Sequence, residues 1–252
     1  MDQPRRSLRE PVREWAPKRE PEGAVRPRCL DCRASPSVCP FAELPLATGG
    51  DRRVVVPAKV LLWVGNPSEG YGICRGVVQV DRLTREGQRL AELLGPGDLL
   101  GLEGLLAPSP QAVEAYALTE VVWVRLSRED LLQGLSHPPF RDHLLRRLGE
   151  ALDRWQRRCE RACYRGVRER LIAELLELAR RFGAWQDGQL LIPLPLRKHQ
   201  LERLVGAGHT RVTVERRRLE EAGLLRFSKE GIWLPDPARL AKMLGDSEKI
   251  EV

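Results

Sequence analysis

Nowhere in this 252-residue sequence do apolar side chains run on for the roughly 20 positions that a membrane-spanning helix requires. The N-terminal segment alternates prolines and charges and holds no apolar stretch of the kind a secretory leader carries, so a cytoplasmic location is expected. Enzyme signatures are missing too. There is no glycine loop ending in Gly-Lys-Ser/Thr, no Gly-x-Ser-x-Gly elbow and no His-Glu-x-x-His helix, so catalysis is not expected. The four histidines, His137, His143, His199 and His209, show no ligand spacing with the cysteines. Acidic residues are in deficit, 35 against 42 Lys and Arg, which leaves a net charge of +7. That balance favours an anionic partner, nucleic acid first. Hydrophobic residues make up 42 %, enough to pack a core, and the length suits two modest domains.

Cysteine is scarce as well, with six in the chain, but three of them fall within eleven residues: Cys29-Leu-Asp-Cys32 and then Cys39-Pro-Phe41. Cys74 follows alone, and Cys159 and Cys163 stand one helical turn apart much later. Disulfides are rare in the cytoplasm, so the cluster reads as metal-binding or redox-active. With Cys74 as a fourth ligand, the three loop thiolates would make the set that iron–sulfur clusters and structural zinc both use. The spacing does not choose between a cluster, a zinc clip and a thiol–disulfide pair.

The chain divides by texture. Residues 1–28 hold five prolines among alternating charges and read as a tail that cannot bury enough apolar surface to order itself. Residues 29–43 form the cysteine loop. From 44 to 126, short apolar runs such as Val78-Gln-Val and Val121-Val-Trp-Val are punctuated by Gly and Pro, which predicts an all-β roll. Within 127–165, Ser127-Arg-Glu-Asp opens a short helix and a long one runs from about Pro139 to Cys163. Its stripe of Phe140, Leu144, Leu148, Ala151, Trp155 and Cys159, with Leu145 and Leu152 beside it, suits a dimer seam. The plainer alternative is packing on its own β-domain.

Residues 166–252 carry the second strong signal. A helix from about Arg197 to Val205, the turn Gly206-Ala-Gly208 and a helix from about His209 to Ala222 make a helix-turn-helix. Leu224 to Leu234, with a turn at Ser228-Lys-Glu-Gly231, adds a hairpin wing. His209, Thr210, Arg211, Thr213, Arg216 and Arg217 on the second helix are the candidate contacts to double-stranded DNA, through base edges or phosphates.

These features resemble the CRP/FNR family of bacterial transcription regulators over roughly residues 29–244. The motifs are Arg75-Gly-Val-Val-Gln-Val, Leu93-Leu-Gly-Pro-Gly-Asp-Leu-Leu-Gly101 and Thr210-Arg-Val-Thr-Val. The resemblance implies an α+β fold: an N-terminal jelly-roll-like β-roll sensor, a long dimerisation helix and a C-terminal winged helix-turn-helix. It also implies a homodimer on a pseudo-palindromic site and contact with RNA polymerase. The cysteine loop is similar to the FNR branch, which implies a [4Fe–4S] cluster on Cys29, Cys32, Cys39 and Cys74 that senses oxygen or nitric oxide, with zinc as the alternative. In that branch the fourth cysteine lies in the last roll strand, where this chain has Val122-Trp-Val and no cysteine. A cyclic nucleotide is not expected, because Val113-Glu-Ala stands where the phosphate pocket would need Arg next to a small residue, and the Glu114 carboxylate would repel a cyclic phosphate. In the second helix, counting back from Gly223 puts Arg216 at a core position and Val214 at a DNA-reading one. Counting forward from Thr210 makes Arg211 and Arg216 the readers.

Overall fold

The computed structural model describes residues 41, 53–65, 69–83, 89–106, 113–164 and 166–244. The predicted tail and Cys29, Cys32 and Cys39 lie outside these residues.

The roll runs through β1 (Arg53–Val56), β2 (Leu61–Gly65), β3 (Gly70–Arg75), β4 (Val78–Leu83), β5 (Arg89–Leu94), β6 (Leu99–Leu100), α1 (Leu102–Leu106), β7 (Val113–Ala117) and β8 (Val121–Leu126). Among the described residues these strands make two antiparallel sheets, ordered β1-β8-β3-β6 and β2-β7-β4-β5. The short apolar runs form strands because their side chains alternate across the sheet. In β7, Val113, Ala115 and Ala117 are buried while Glu114 and Tyr116 are half-exposed on the other face. Ile73, Val78, Val80, Ala115, Val121 and Trp123 fill the roll interior.

A second core covers the outer face of the first sheet. It joins Phe41, Leu102, Leu105, Val124 and Leu126 to α2 (Arg128–Gly134) and α3 (Pro138–Tyr164) through Leu131, Phe140 and Leu144. α2 starts where the sequence predicts, because Ser127 and Asp130 form a reciprocal capping box. The 27 residues of α3 extend about 40 Å at 1.5 Å per residue. Its predicted stripe divides. Phe140 and Leu144 pack on the chain's own roll, whereas Leu145, Leu148 and Leu152 are 58 %, 39 % and 69 % exposed.

The C-terminal part contains α4 (Val167–Phe182), β9 (Ala184–Gln186), β10 (Gln189–Ile192), α5 (Lys198–Val205), α6 (His209–Glu221), β11 (Arg226–Phe227), β12 (Ile232–Leu234) and α7 (Pro237–Lys242). The four strands form one sheet, β11-β12-β10-β9. The β9–β10 hairpin is absent from the sequence reading. Its signal was present: Asp187 and Gly188 have φ of 50° and 74°, as a two-residue hairpin turn requires. The core of this part, with Leu171, Ile172, Leu175, Leu201, Val212, Leu219 and Ile232, runs on into Val77, Ala91, Leu93 and Leu118 of the roll.

Candidate functional site

α5 stops at Gly206, whose left-handed backbone (φ 66°) a side chain would disfavour. The chain turns through Ala207 and Gly208 and enters α6. The helical period turns Val212, Arg216 and Leu219 inward. Thr210, Arg211, Val214, Arg217 and Arg218 lie exposed, with His209 exposed at the start and Thr213 half-buried at the edge. Five of the six predicted contact residues, His209, Thr210, Arg211, Thr213 and Arg217, thus share the accessible side of one helix.

Arg216 corrects the prediction. It is 7 % exposed, pairs with Glu220 and lies with its guanidinium 5.5 Å from the ring centre of Phe227 in the wing. The cause is spacing, since Arg216 shares a face with Val212 and Leu219. The backward count from Gly223 is therefore the register that the structure adopts. Val214, which that count puts at a DNA-reading position although it is not among the six candidates, faces outward at 42 % exposure. The Val212–Leu219 period is the signal that favours that count.

Polar side chains tie this domain to the roll. Arg158 of α3 donates to Ala91 O of β5 (2.6 Å) and to Arg203 O and Leu204 O at the end of α5 (3.0 and 2.6 Å). Those two carbonyls are among the last of their helix, which has no further turn to satisfy them, and a cation there also suits the helix dipole. Gln200 donates to Gln79 Oε1 at 2.7 Å, and Arg203 pairs with the buried carboxylate of Asp81. Arg181 pairs with Asp98 at 3.0 Å. Asp81→Ala should loosen α5 from the roll, seen as faster proteolysis between the domains. Arg203 keeps part of its side chain in solvent, so the cost should fall below the roughly 3–5 kcal/mol of a fully buried pair. Unchanged proteolysis would show that the apolar contacts suffice.

The outer face of β3 is the second place of interest. Phe41 is 2 % exposed and lies on Gly72, where a Cβ would come within 2.6 Å of its ring. Its ring meets Phe140 at 6.4 Å and His143 edge-on at 6.2 Å. Cys74, two residues beyond Gly72, is half-buried against the same core. The β3–β8 pairing slips by one residue between Ile73 and Arg75, with Ile73 opposite Trp123 and Arg75 opposite Val122. Cys74 therefore lies on the strand hydrogen-bonded to Val122-Trp-Val, the segment where the FNR branch carries its fourth cysteine. Among the described residues no three His, Cys, Asp or Glu side chains converge as a metal centre requires. Cys159 and Cys163 are exposed on α3.

His143 donates through Nε2 to Gly97 O at 2.8 Å and accepts from Arg146 through Nδ1. Burial holds its pKa below the ordinary 6.5. The folded protein thus favours the neutral ring, and this contribution is full above about pH 6.5. It is lost as the pH falls from there through the lowered folded value. Unfolding midpoints between pH 5 and 7.5 should drop more on acidification for the parent than for His143→Gln. Equal slopes would remove His143 as the cause.

A cavity of about 350 Å³ opens between the roll and α3. Val80, Leu94, Leu102, Leu148 and Leu152 give it apolar walls, and Arg82, Arg147 and Arg154 bring positive charge beside Glu92 and Asp98. Burial raises the pKa of Glu92, against the attraction of Arg82 and Arg154. The space suits a small, partly apolar anion.

Residues 52–137 match the cyclic nucleotide-binding domain, and residues 169–243 match the Crp-like helix-turn-helix domain. A CRP-like cAMP-activated global transcriptional regulator of Mycobacterium tuberculosis is 29 % identical over 181 residues, 71 % of this chain and 81 % of that one. A cyclic AMP receptor protein of Thermus thermophilus is 28 % identical over 200 residues, 76 % and 87 % of the two chains. Among solved structures, a CRP/FNR-family transcriptional regulator from Thermus thermophilus superposes with a TM-score of 0.61 and 26 % identity. That match covers 78 % of this chain and 100 % of the other.

These matches overturn the expectation that excluded a cyclic nucleotide. The charge-repulsion half of the physical premise fails as well. Glu114 was expected to repel a phosphate, but the alternation of β7 turns it away from the interior side chains. There it pairs with Arg89 and accepts from Tyr116 Oη at 2.7 Å, and the Arg89 hydrogen bond holds its pKa low. With a cyclic nucleotide-binding roll, a long helix and a Crp-like helix-turn-helix in one chain, this protein belongs to the CRP/FNR family of transcription regulators.

Proposed function

We propose that this DNA-binding regulator acts as a cytoplasmic homodimer on a pseudo-palindromic promoter site, in contact with RNA polymerase, and that its signal enters at the outer face of the roll. Cys29, Cys32, Cys39 and Cys74 would hold an iron–sulfur cluster there, [4Fe–4S] by the resemblance of the cysteine loop to the FNR branch. The observation that carries this reading is the seat of Phe41 on β3, next to Cys74. Phe41 lies two positions after Cys39, a reach of no more than about 7 Å. A buried Phe41 would therefore bring Cys39 within reach of Cys74. When bound, the cluster supplies a centre that oxygen or nitric oxide can convert. The residues of the chain do the rest. Cys74 packs against the core that contains Phe140 and Leu144, so ordering the loop would bear on the start of α3, and Arg158 of α3 holds α5.

Anaerobic purification tests this. The expected product is brown, with iron and sulfide in near-equal amounts, and Cys74→Ser should lose most of both. A colourless protein with one zinc per chain would establish the clip instead. A protein with neither metal, whose thiols pair reversibly, would establish the redox pair.

A second reading rests on a different observation, the cavity between the roll and α3. The cyclic AMP named for the relatives would be held there with its phosphate near Arg82, Arg147 or Arg154. Titration calorimetry with cyclic AMP on parent and Arg154→Ala separates the two readings, since only the second predicts saturable binding that the variant weakens.

A further inference from the structure

We propose that Val214 reads thymine, through an apolar contact with the 5-methyl group in the major groove. The inference rests on α6 being the DNA-reading helix and goes beyond it by assigning one residue to one base. Val214 lies opposite the buried Val212, Arg216 and Leu219, near the middle of the outward face. Thr210 precedes it by one turn, and Arg211, Arg217 and Arg218 surround it.

Nothing in the fold asks for valine there. Its side chain is 42 % exposed, so it adds little to the core. Its branched Cβ also makes it a poorer helix former than alanine, or than the arginines beside it. An apolar group ringed by cations suits a surface that meets phosphates and base edges at once. Valine has no donor or acceptor, so it cannot read the polar edge atoms of any base. The apolar group that unmodified DNA offers in the major groove is the thymine methyl. The methyl of Thr210 extends the same patch along the helix, which gives the contact a direction across the groove.

The test uses the full-length protein, purified anaerobically and assayed with and without cyclic AMP. A duplex is first selected from a randomised library. Each thymine of that duplex is then replaced in turn by deoxyuridine, which keeps the base pair and removes only the methyl. At one thymine per half-site the parent should lose about fourfold in affinity, the size expected when one methyl returns to water. Replacement in both half-sites should lose about fifteenfold. Val214→Ala should bind the parent duplex that much more weakly and no longer distinguish thymine from uracil at that position. Alanine keeps α6 helical, and an unchanged melting temperature confirms it. If the parent ignores every deoxyuridine, or the variant still discriminates, Val214 does not read thymine. If the library yields no preferred sequence, the DNA-reading role of α6 fails first and takes this assignment with it.

Discussion

Replacing Leu145 and Leu152 together by lysine should convert the proposed dimer to monomers and lower DNA affinity by at least about a hundredfold. Both side chains are mostly in solvent in the single chain, at 58 % and 69 % exposure. Neither therefore contributes much to the monomer fold. With Leu148 between them they repeat at intervals of three and four, the pattern of a helix that meets a second helix. In the dimer, two lysines would be buried opposite two others. Charge repulsion and desolvation would then outweigh the remaining apolar contact. The DNA effect follows from linkage. A dimer binds its second half-site as an intramolecular event, worth roughly 10²–10⁴ in affinity, and a monomer forfeits it. Sedimentation should give a single-chain mass, with the melting temperature of the roll little changed. A variant that stays dimeric and binds DNA as before would move the seam away from this face of α3.

Phe41→Ala should be the most damaging single change in the sensor half. The ring is 2 % exposed, fills the gap above Gly72 and touches both Phe140 and His143. Truncating a buried phenylalanine costs about 3–5 kcal/mol, because the walls close only in part. Thermal unfolding should show this directly. If Phe41 also tethers the cysteine loop, the variant should bind markedly less iron, although all four proposed ligands remain, and Phe41→Leu should recover much of it. Full stability in Phe41→Ala would remove the seat. Full iron content in a destabilised variant would separate the seat from the loop.

Much of this was legible from local pattern. Ser127 with Asp130 announces a helix start because the two groups satisfy each other's backbone within one turn. Gly206 announces the helix-turn-helix because few other residues accept its backbone angles. The roll strands appear as alternating runs between Gly and Pro. The β9–β10 hairpin went unread although Asp187-Gly188 was in plain view, since its flanking strands are only three and four residues long. Arg216 and Glu114 were misread for a shared reason. A charged side chain suggests a ligand, but its partner is what decides its role. Glu220 and Phe227 engage Arg216, and Arg89 and Tyr116 engage Glu114.

By itself, then, the sequence determined the order of the parts and where most of them begin and end. Those features depend on backbone preferences and periodicity that act over a few residues. It also determined the pool of chemistry: thiols at Cys29, Cys32, Cys39 and Cys74 that the proposed cluster would use, and a cationic helix for DNA. Only the tertiary structure decided which side chains face which way. Burial turned Arg216 inward and left Val214 outside. The pairing of β3 with β8 brought Cys74 onto the strand beside Val122-Trp-Val. The packing of Phe140 and Leu144 on the roll divided the α3 stripe and left its other leucines exposed. The last two outcomes depend on contacts between residues up to about a hundred positions apart, which no local period encodes, whereas the first turned on which of two local counts the core accepts.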